Sequence, residues 1–167
     1  MRQRQSAATH VRALSRILYV DDDPREWAVA LAALSDAGHM NETFVVKDKD
    51  EALDFLHARG AFRQGAAGLP AVVVIGPTLG WRKAASLLSS IRSDSALRRV
   101  PVVLMDGSGD PEKVRSAYAY GANSVVRVHG DPQVHGQRYA AIGRFWAETN
   151  QPPPGCIVKP APRAAGL

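Results

Sequence analysis

The sequence predicts an α/β fold, a doubly wound five-stranded parallel sheet covered by five helices. Three observations point there. Short apolar runs alternate with longer segments whose apolar residues recur at helical spacing. One run, Ala71-Val72-Val73-Val74-Ile75, is apolar without alternation, as expected of a central strand buried on both faces. Several runs also break off in Asp, Gly or Pro, at the strand ends where open α/β sheets gather their ligands.

Taken in order, Met1 to Ser15 is polar and basic and reads as a frayed arm, or a short helix from about Thr9. The first strand is Ile17 to Val20. A helix from Pro24 to Ala37 follows, with Trp27, Ala30, Leu31 and Leu34 on one side and Gly38 as its stop. Thr43 to Val46, β-branched and aromatic, is the second strand. Asp48 to Arg59 is the second helix, and Gly60 to Gly68 a loop. After the apolar run at 71–75, Gly76-Pro77-Thr78-Leu79-Gly80 turns the chain into a helix from Trp81 to Ser93. Val100 to Met105 is the fourth strand. Asp110-Pro111 opens the fourth helix, Ser124 to Val128 is the fifth strand, and Asp131-Pro132 opens a last helix ending near Asn150. Gln151 onward, with Pro-Pro-Pro-Gly and two more prolines, reads as an extended tail. The expected organisation is a basic arm at 1–15, a domain at 16–150 and a Pro-rich tail at 151–167.

Composition narrows the function classes. A chain of 167 residues, 46% of them hydrophobic, suits one domain with a useful core. No apolar run approaches the roughly 18 residues of a membrane span, and no secretory signal is apparent. The lone Cys156 forms no internal disulfide, which fits a reducing cytoplasm. The formal charge of +5 belongs to the ends: between Asp21 and Glu148 lie all 16 acidic residues against 15 basic ones. A body with no positive excess lacks the electrostatic footprint of a nucleic-acid binder.

Chemistry concentrates at Asp21-Asp22-Asp23-Pro24, directly after the first strand. Adjacent like charges repel, and a divalent cation relieves that repulsion. The other reading is a helix cap, with Asp22 or Asp23 at the N-cap and Pro24 in the first turn.

Ile17-Leu18-Tyr19-Val20-Asp21-Asp22-Asp23-Pro24, Glu51-Ala52-Leu53-Asp54-Phe55-Leu56 and Leu97-Arg98-Arg99-Val100-Pro101-Val102-Val103-Leu104 resemble the receiver domain of bacterial two-component response regulators. Ala117-Tyr118, Gly121-Ala122-Asn123-Ser124, Phe145-Trp146 and Asn150-Gln151-Pro152-Pro153-Pro154 narrow the resemblance to stand-alone, CheY-like regulators that accompany phytochrome-type histidine kinases. The fold it implies is the flavodoxin-like receiver. A working receiver holds Mg²⁺ on two acidic residues, takes a phosphoryl group on an aspartate after its third strand, and reads it with a hydroxyl and a lysine.

Carried over residue by residue, the acidic pair is Asp21 and Asp22. The acceptor position falls on Gly76, the hydroxyl position on Asp106, the lysine position on Val128, the proline after it on His129, and the switch aromatic on Val125. Glycine has no side chain to carry phosphate, and Val128 supplies no counter-charge. Alternation turns Arg127 to the other face of its strand unless the register slips. Asp106 either joins Asp21 and Asp22 in a three-carboxylate cation site or caps its own loop through Gly107-Ser108; the cap is preferred. His129 reads as a loop residue.

The resemblance therefore implies a degenerate receiver: a non-enzymatic adaptor or decoy in a phosphorelay, requiring no cofactor and at most binding Mg²⁺ weakly. The alternative retains Mg²⁺ and accepts phosphate on a displaced carboxylate, Asp106 or Asp23. Expected partners are a histidine kinase, of the phytochrome type in keeping with the resemblance, or another response regulator. A homodimer is expected through Tyr118, Tyr120, Tyr139, Ile142, Phe145 and Trp146.

Overall fold

The computed structural model describes residues 13–39, 43–63, 68–128, 130–156 and 158–160. Strands β2 (Ile17–Val20), β3 (Thr43–Val46), β4 (Val72–Ile75), β5 (Val102–Asp106) and β6 (Ser124–Arg127) form one parallel sheet in the order β3-β2-β4-β5-β6. Register is continuous across its centre: Ile17 lies opposite both Thr43 and Val72, and Val73 opposite Val102. β2 and β4 are buried at every residue, which is why neither shows a polar alternation.

Alternation within β2 divides the core in two. Leu18 and Val20 face Phe55, Leu87, Leu88 and Ile91, from α2 (Lys49–Leu56) and α3 (Trp81–Ser93). Ile17 and Tyr19 face Ala30 and Leu34 of α1 (Pro24–Asp36), with Tyr139 and Ile142 of α5 (Pro132–Ile142). α4 (Pro111–Ala119) covers the first face through Ala117. Each buried Leu or Ile contributes roughly 2 kcal/mol.

Aspartates start most of the helices. Asp23, Asp110 and Asp131 each accept from the backbone N–H two residues on, and each precedes a proline in the first turn. Asp48 caps α2 through Glu51 N–H at 2.9 Å. That helix stops at Leu56, short of the expected Arg59, because Ala58 turns left-handed at φ 51°.

Two expectations are corrected. The last helix is not uniform: α5 ends at Ile142 and continues as a π-helix over Gly143–Thr149. There it runs against α1 and the residues after it so closely that a Cβ on Gly143 would lie 2.7 Å from His39 Cδ2. Nor do the described ends hang free. Ala13–Ser15 (β1) pairs antiparallel with Val158–Pro160 (β7), placing Leu14 opposite Lys159. Leu69 N–H donates to Gly155 O at 3.1 Å, and Cys156 Sγ to Pro70 O at 3.2 Å. Strands this short carry no readable alternation, and Pro160 argued against one.

Candidate functional site

The loops after β2, β4 and β5, with Val128 after β6, meet at the carboxyl edge of the sheet. Asp21 is fully buried there, between the other strand ends. Its Oδ1 accepts from Asp23 N–H at 2.9 Å and from the Thr78 hydroxyl, and its Oδ2 from Thr78 N–H at 3.1 Å. The Trp27 indole N–H donates to Asp21 O at 2.7 Å. Asp22 turns the other way, and Lys83 Nζ of α3 sits 2.6 Å from its Oδ2. Asp23 caps α1 and takes the Arg25 guanidinium at 2.9 Å. That side-chain hydrogen bond from Arg25, with the Arg25 N–H, holds the Asp23 carboxyl below its ordinary value.

Gly76 follows β4 directly, at the position to which the resemblance assigns the acceptor. The space in front of it is taken. A Cβ built on Gly76 overlaps the Asp21 carboxylate and the Tyr19 hydroxyl, with Asp21 Cγ only 2.7 Å away. Tyr19 is itself fully buried, and its hydroxyl hydrogen-bonds Tyr139 Oη at 2.8 Å, the rings packed edge to face. The Tyr139 hydroxyl reaches Glu26 Oε2 at 3.2 Å, and Glu26 Oε1 lies 3.4 Å from His135 Nδ1. Burial first, then the nearby charge of Tyr139, pushes the Tyr19 phenol far above its ordinary value. Burial does the same to Tyr139.

Asp106 closes β5 and folds back on its own loop. Oδ1 accepts from Ser108 N–H at 3.0 Å and Ser108 Oγ at 2.6 Å, and Oδ2 from Gly109 N–H at 2.9 Å. Burial raises its carboxyl, but the Ser108 and Gly109 donors with Lys113 nearby outweigh that and hold it below its ordinary value. Val128 is buried beside Tyr19, Val103, Met105 and Tyr139, so the lysine position is filled by core. Arg127 is exposed, its guanidinium 3.8 Å from where a Cβ on Gly109 would stand. Val125 packs from the edge of the core, and His129 lies outside the described residues. A cavity of about 130 Å³ remains between Gly76-Pro77, Trp81, Asp106-Gly107-Ser108 and Lys113.

These residues do not fit a divalent cation. Asp21 spends its carboxylate on Thr78 and Asp23 N–H, Asp22 on Lys83, Asp106 on its own loop, and Gly76 offers no ligand. Among the described residues no three His, Cys, Asp or Glu side chains are placed to hold a metal ion. The three-carboxylate arrangement is thus corrected: Asp106 points at Ser108 and Gly109, not at Asp21.

The aromatic surface is also redrawn. Tyr118, Tyr120 and Phe145 are 51%, 47% and 50% exposed, and Trp146 is half-buried against Phe145 at 5.1 Å between ring centres. Tyr139 and Ile142 belong to the core instead, because they fill the space between α5 and β2. Sequence reasoning missed Tyr19, Thr78 and Lys83. Tyr19 had a signal: a polar hydroxyl in an otherwise aliphatic strand buried on both faces needs a buried partner.

A parallel sheet of this order, with acidic residues at its carboxyl edge, is the doubly wound arrangement that flavodoxin-like and receiver domains share. The bacteriophytochrome response regulator RtBRR is 36% identical over 85% of this chain and 86% of its own, with TM-score 0.61. The bacteriophytochrome response regulator AtBRR is 30% identical over 83% of this chain and 99% of its own, with TM-score 0.61. The phosphorylated cyanobacterial phytochrome response regulator RcpA shares the fold at 23% identity and TM-score 0.74, covering 84% of this chain and 99% of that one. The chain belongs to the family of stand-alone, CheY-like response regulator receivers. No family model and no curated protein matches it.

Proposed function

We propose that this receiver is a phosphate-silent adaptor in two-component signalling, working by protein contact rather than by aspartyl phosphorylation. The observation that supports the reading is the filled space at Gly76: Asp21 and Tyr19 occupy the volume an acceptor side chain needs. The apolar Val128 in place of a cation agrees with it, because a transferred phosphoryl group needs positive charge to offset its own. No cofactor is required on this reading. The same reading puts the protein in the cytoplasm, beside the kinase it would contact. Among the described residues no helix is long and apolar enough to cross a membrane.

The partner is a histidine kinase of the phytochrome type or another response regulator, in keeping with the phytochrome regulators it resembles. Tyr118, Tyr120, Phe145 and Trp146 supply exposed aromatic area of the sort interfaces bury, and a homodimer through them is part of the proposal. The deciding experiment exposes the purified chain to acetyl phosphate, or to its phosphorylated kinase, and reads intact mass. The mass is expected to stay unchanged. An added phosphoryl group overturns the reading, and its loss in Asp106→Asn or Asp23→Asn names the displaced acceptor.

A further inference from the structure

We infer that Lys83 is the resident counter-ion of the acidic corner, a covalently attached ammonium standing in for the divalent cation, so that the corner is assembled without metal. The first ground is geometric. Lys83 Nζ lies 2.6 Å from Asp22 Oδ2, within direct ion-pair distance, and reaches it from a residue 61 positions away. The second is electrostatic. Asp22 adjoins the buried carboxylate of Asp21, and Lys83 Nζ brings a positive charge against that pair.

The third ground is a local conflict in α3. The first turn of a helix favours acidic residues, because the unpaired N–H groups carry positive partial charge. α3 has none there; it places Arg82 and Lys83 in that turn and has no side-chain cap at Gly80. A lysine in so unfavourable a position is accounted for by the carboxylates across the crevice. Asp21 complements the arrangement, being neutralised by hydrogen-bond donors instead of by charge: both groups of Thr78 and Asp23 N–H converge on it. The like-charge repulsion within Asp21-Asp22 is thereby relieved by the protein's own atoms.

Removing the ammonium should unmask a cation site. In Lys83→Met the stem and its packing remain while Asp22 is left without its partner. Mn²⁺ added to the full-length protein is followed by loss of the free-ion electron paramagnetic resonance signal. Wild type is expected to show only weak uptake at the acidic corner, and Lys83→Met to bind Mn²⁺ about tenfold or more tighter. Lys83→Arg should behave as wild type, and Lys83→Met with Asp22→Asn should lose the gain. Equal uptake by wild type and Lys83→Met, or no uptake by either, overturns the inference, as does a gain that survives Asp22→Asn. Circular dichroism confirms that this surface substitution leaves the fold intact. The inference rests on the phosphate-silent reading only for its meaning in signalling; the Mn²⁺ titration and the intact-mass assay can fail separately.

Discussion

Asp21 and Asp106 stand at the carboxyl ends of two sheet strands, β2 and β5, and both are withdrawn from solvent. They use their charge in opposite ways. Asp106 takes its three donors from two residues close by, Ser108 and Gly109, and does no more than shape its own loop. Asp21 takes two of its three from Thr78, 57 residues on, and so ties the loop after β4 to the loop after β2. The same tie brings the carboxylate over Gly76, beside the Tyr19 hydroxyl. A carboxylate at a strand end is therefore not a site by position alone; what it does depends on whether its donors are local or come from another strand.

The largest effect is expected from putting back the atom that Gly76 lacks. Gly76→Ala adds only a methyl, yet it overlaps Asp21 and Tyr19. The expected cost is about 3 kcal/mol by urea unfolding, or on the order of 10 °C in Tm. Combined with Asp21→Ala, the total loss should fall at least about 1 kcal/mol short of the sum of the two single losses, because the two sites are in contact. A Gly76→Ala protein as stable as wild type means the space is open and an acceptor side chain would fit.

The second test compares the two carboxylates directly. Asp21→Ala removes a buried charge from three donors and should cost about 3 kcal/mol, whereas Asp106→Ala should cost about 1 kcal/mol. Hydrogen exchange should quicken at the Thr78 amide in the first variant and at Ser108 and Gly109 in the second. Acid adds a signature for Asp106. Its folded carboxyl titrates below the ordinary 3.8, so the stability it contributes is present above that pH and is lost as pH falls through the folded value. Asp106→Asn should therefore show a shallower loss of stability on the acid side.

The same division explains what could be read beforehand. The Asp-Pro helix starts at 23, 110 and 131 and the loop cap at Asp106 are short-range events, and each was legible from neighbouring residues. The central strands of the main sheet were legible too, since burial on both faces leaves an unbroken apolar run, and the half-buried edge strands β3 and β6 by their β-branched residues. Thr78 on Asp21, Lys83 on Asp22 and Tyr139 on Tyr19 join positions from 57 to 120 residues apart, and no local pattern announces them. Tyr139 and Ile142 were placed on a surface for the same reason. Helical spacing gives the stripe but not which side of it meets β2, and the switch to a π-helix after Ile142 changes that phase.

The smallest effect comes from the hydroxyl that links both sides of the filled space. Tyr139→Phe keeps the ring against Tyr19 and removes the bond at 2.8 Å, leaving the Tyr19 hydroxyl buried with one partner fewer. About 1 kcal/mol should be lost. The sign at high pH follows from the raised phenols. Unfolded tyrosine ionises near 10, while burial keeps Tyr19 and Tyr139 protonated well above that. Their contribution is whole below pH 10 and is lost as pH rises from there towards the folded values. Removing one phenol should flatten that alkaline decline, and absorbance of tyrosinate should report Tyr19 ionising only as the protein unfolds. If Tyr139→Phe instead leaves both the stability and the alkaline slope unchanged, the hydroxyl pair is not what holds Tyr19 over Gly76, and Asp21 alone fills that space.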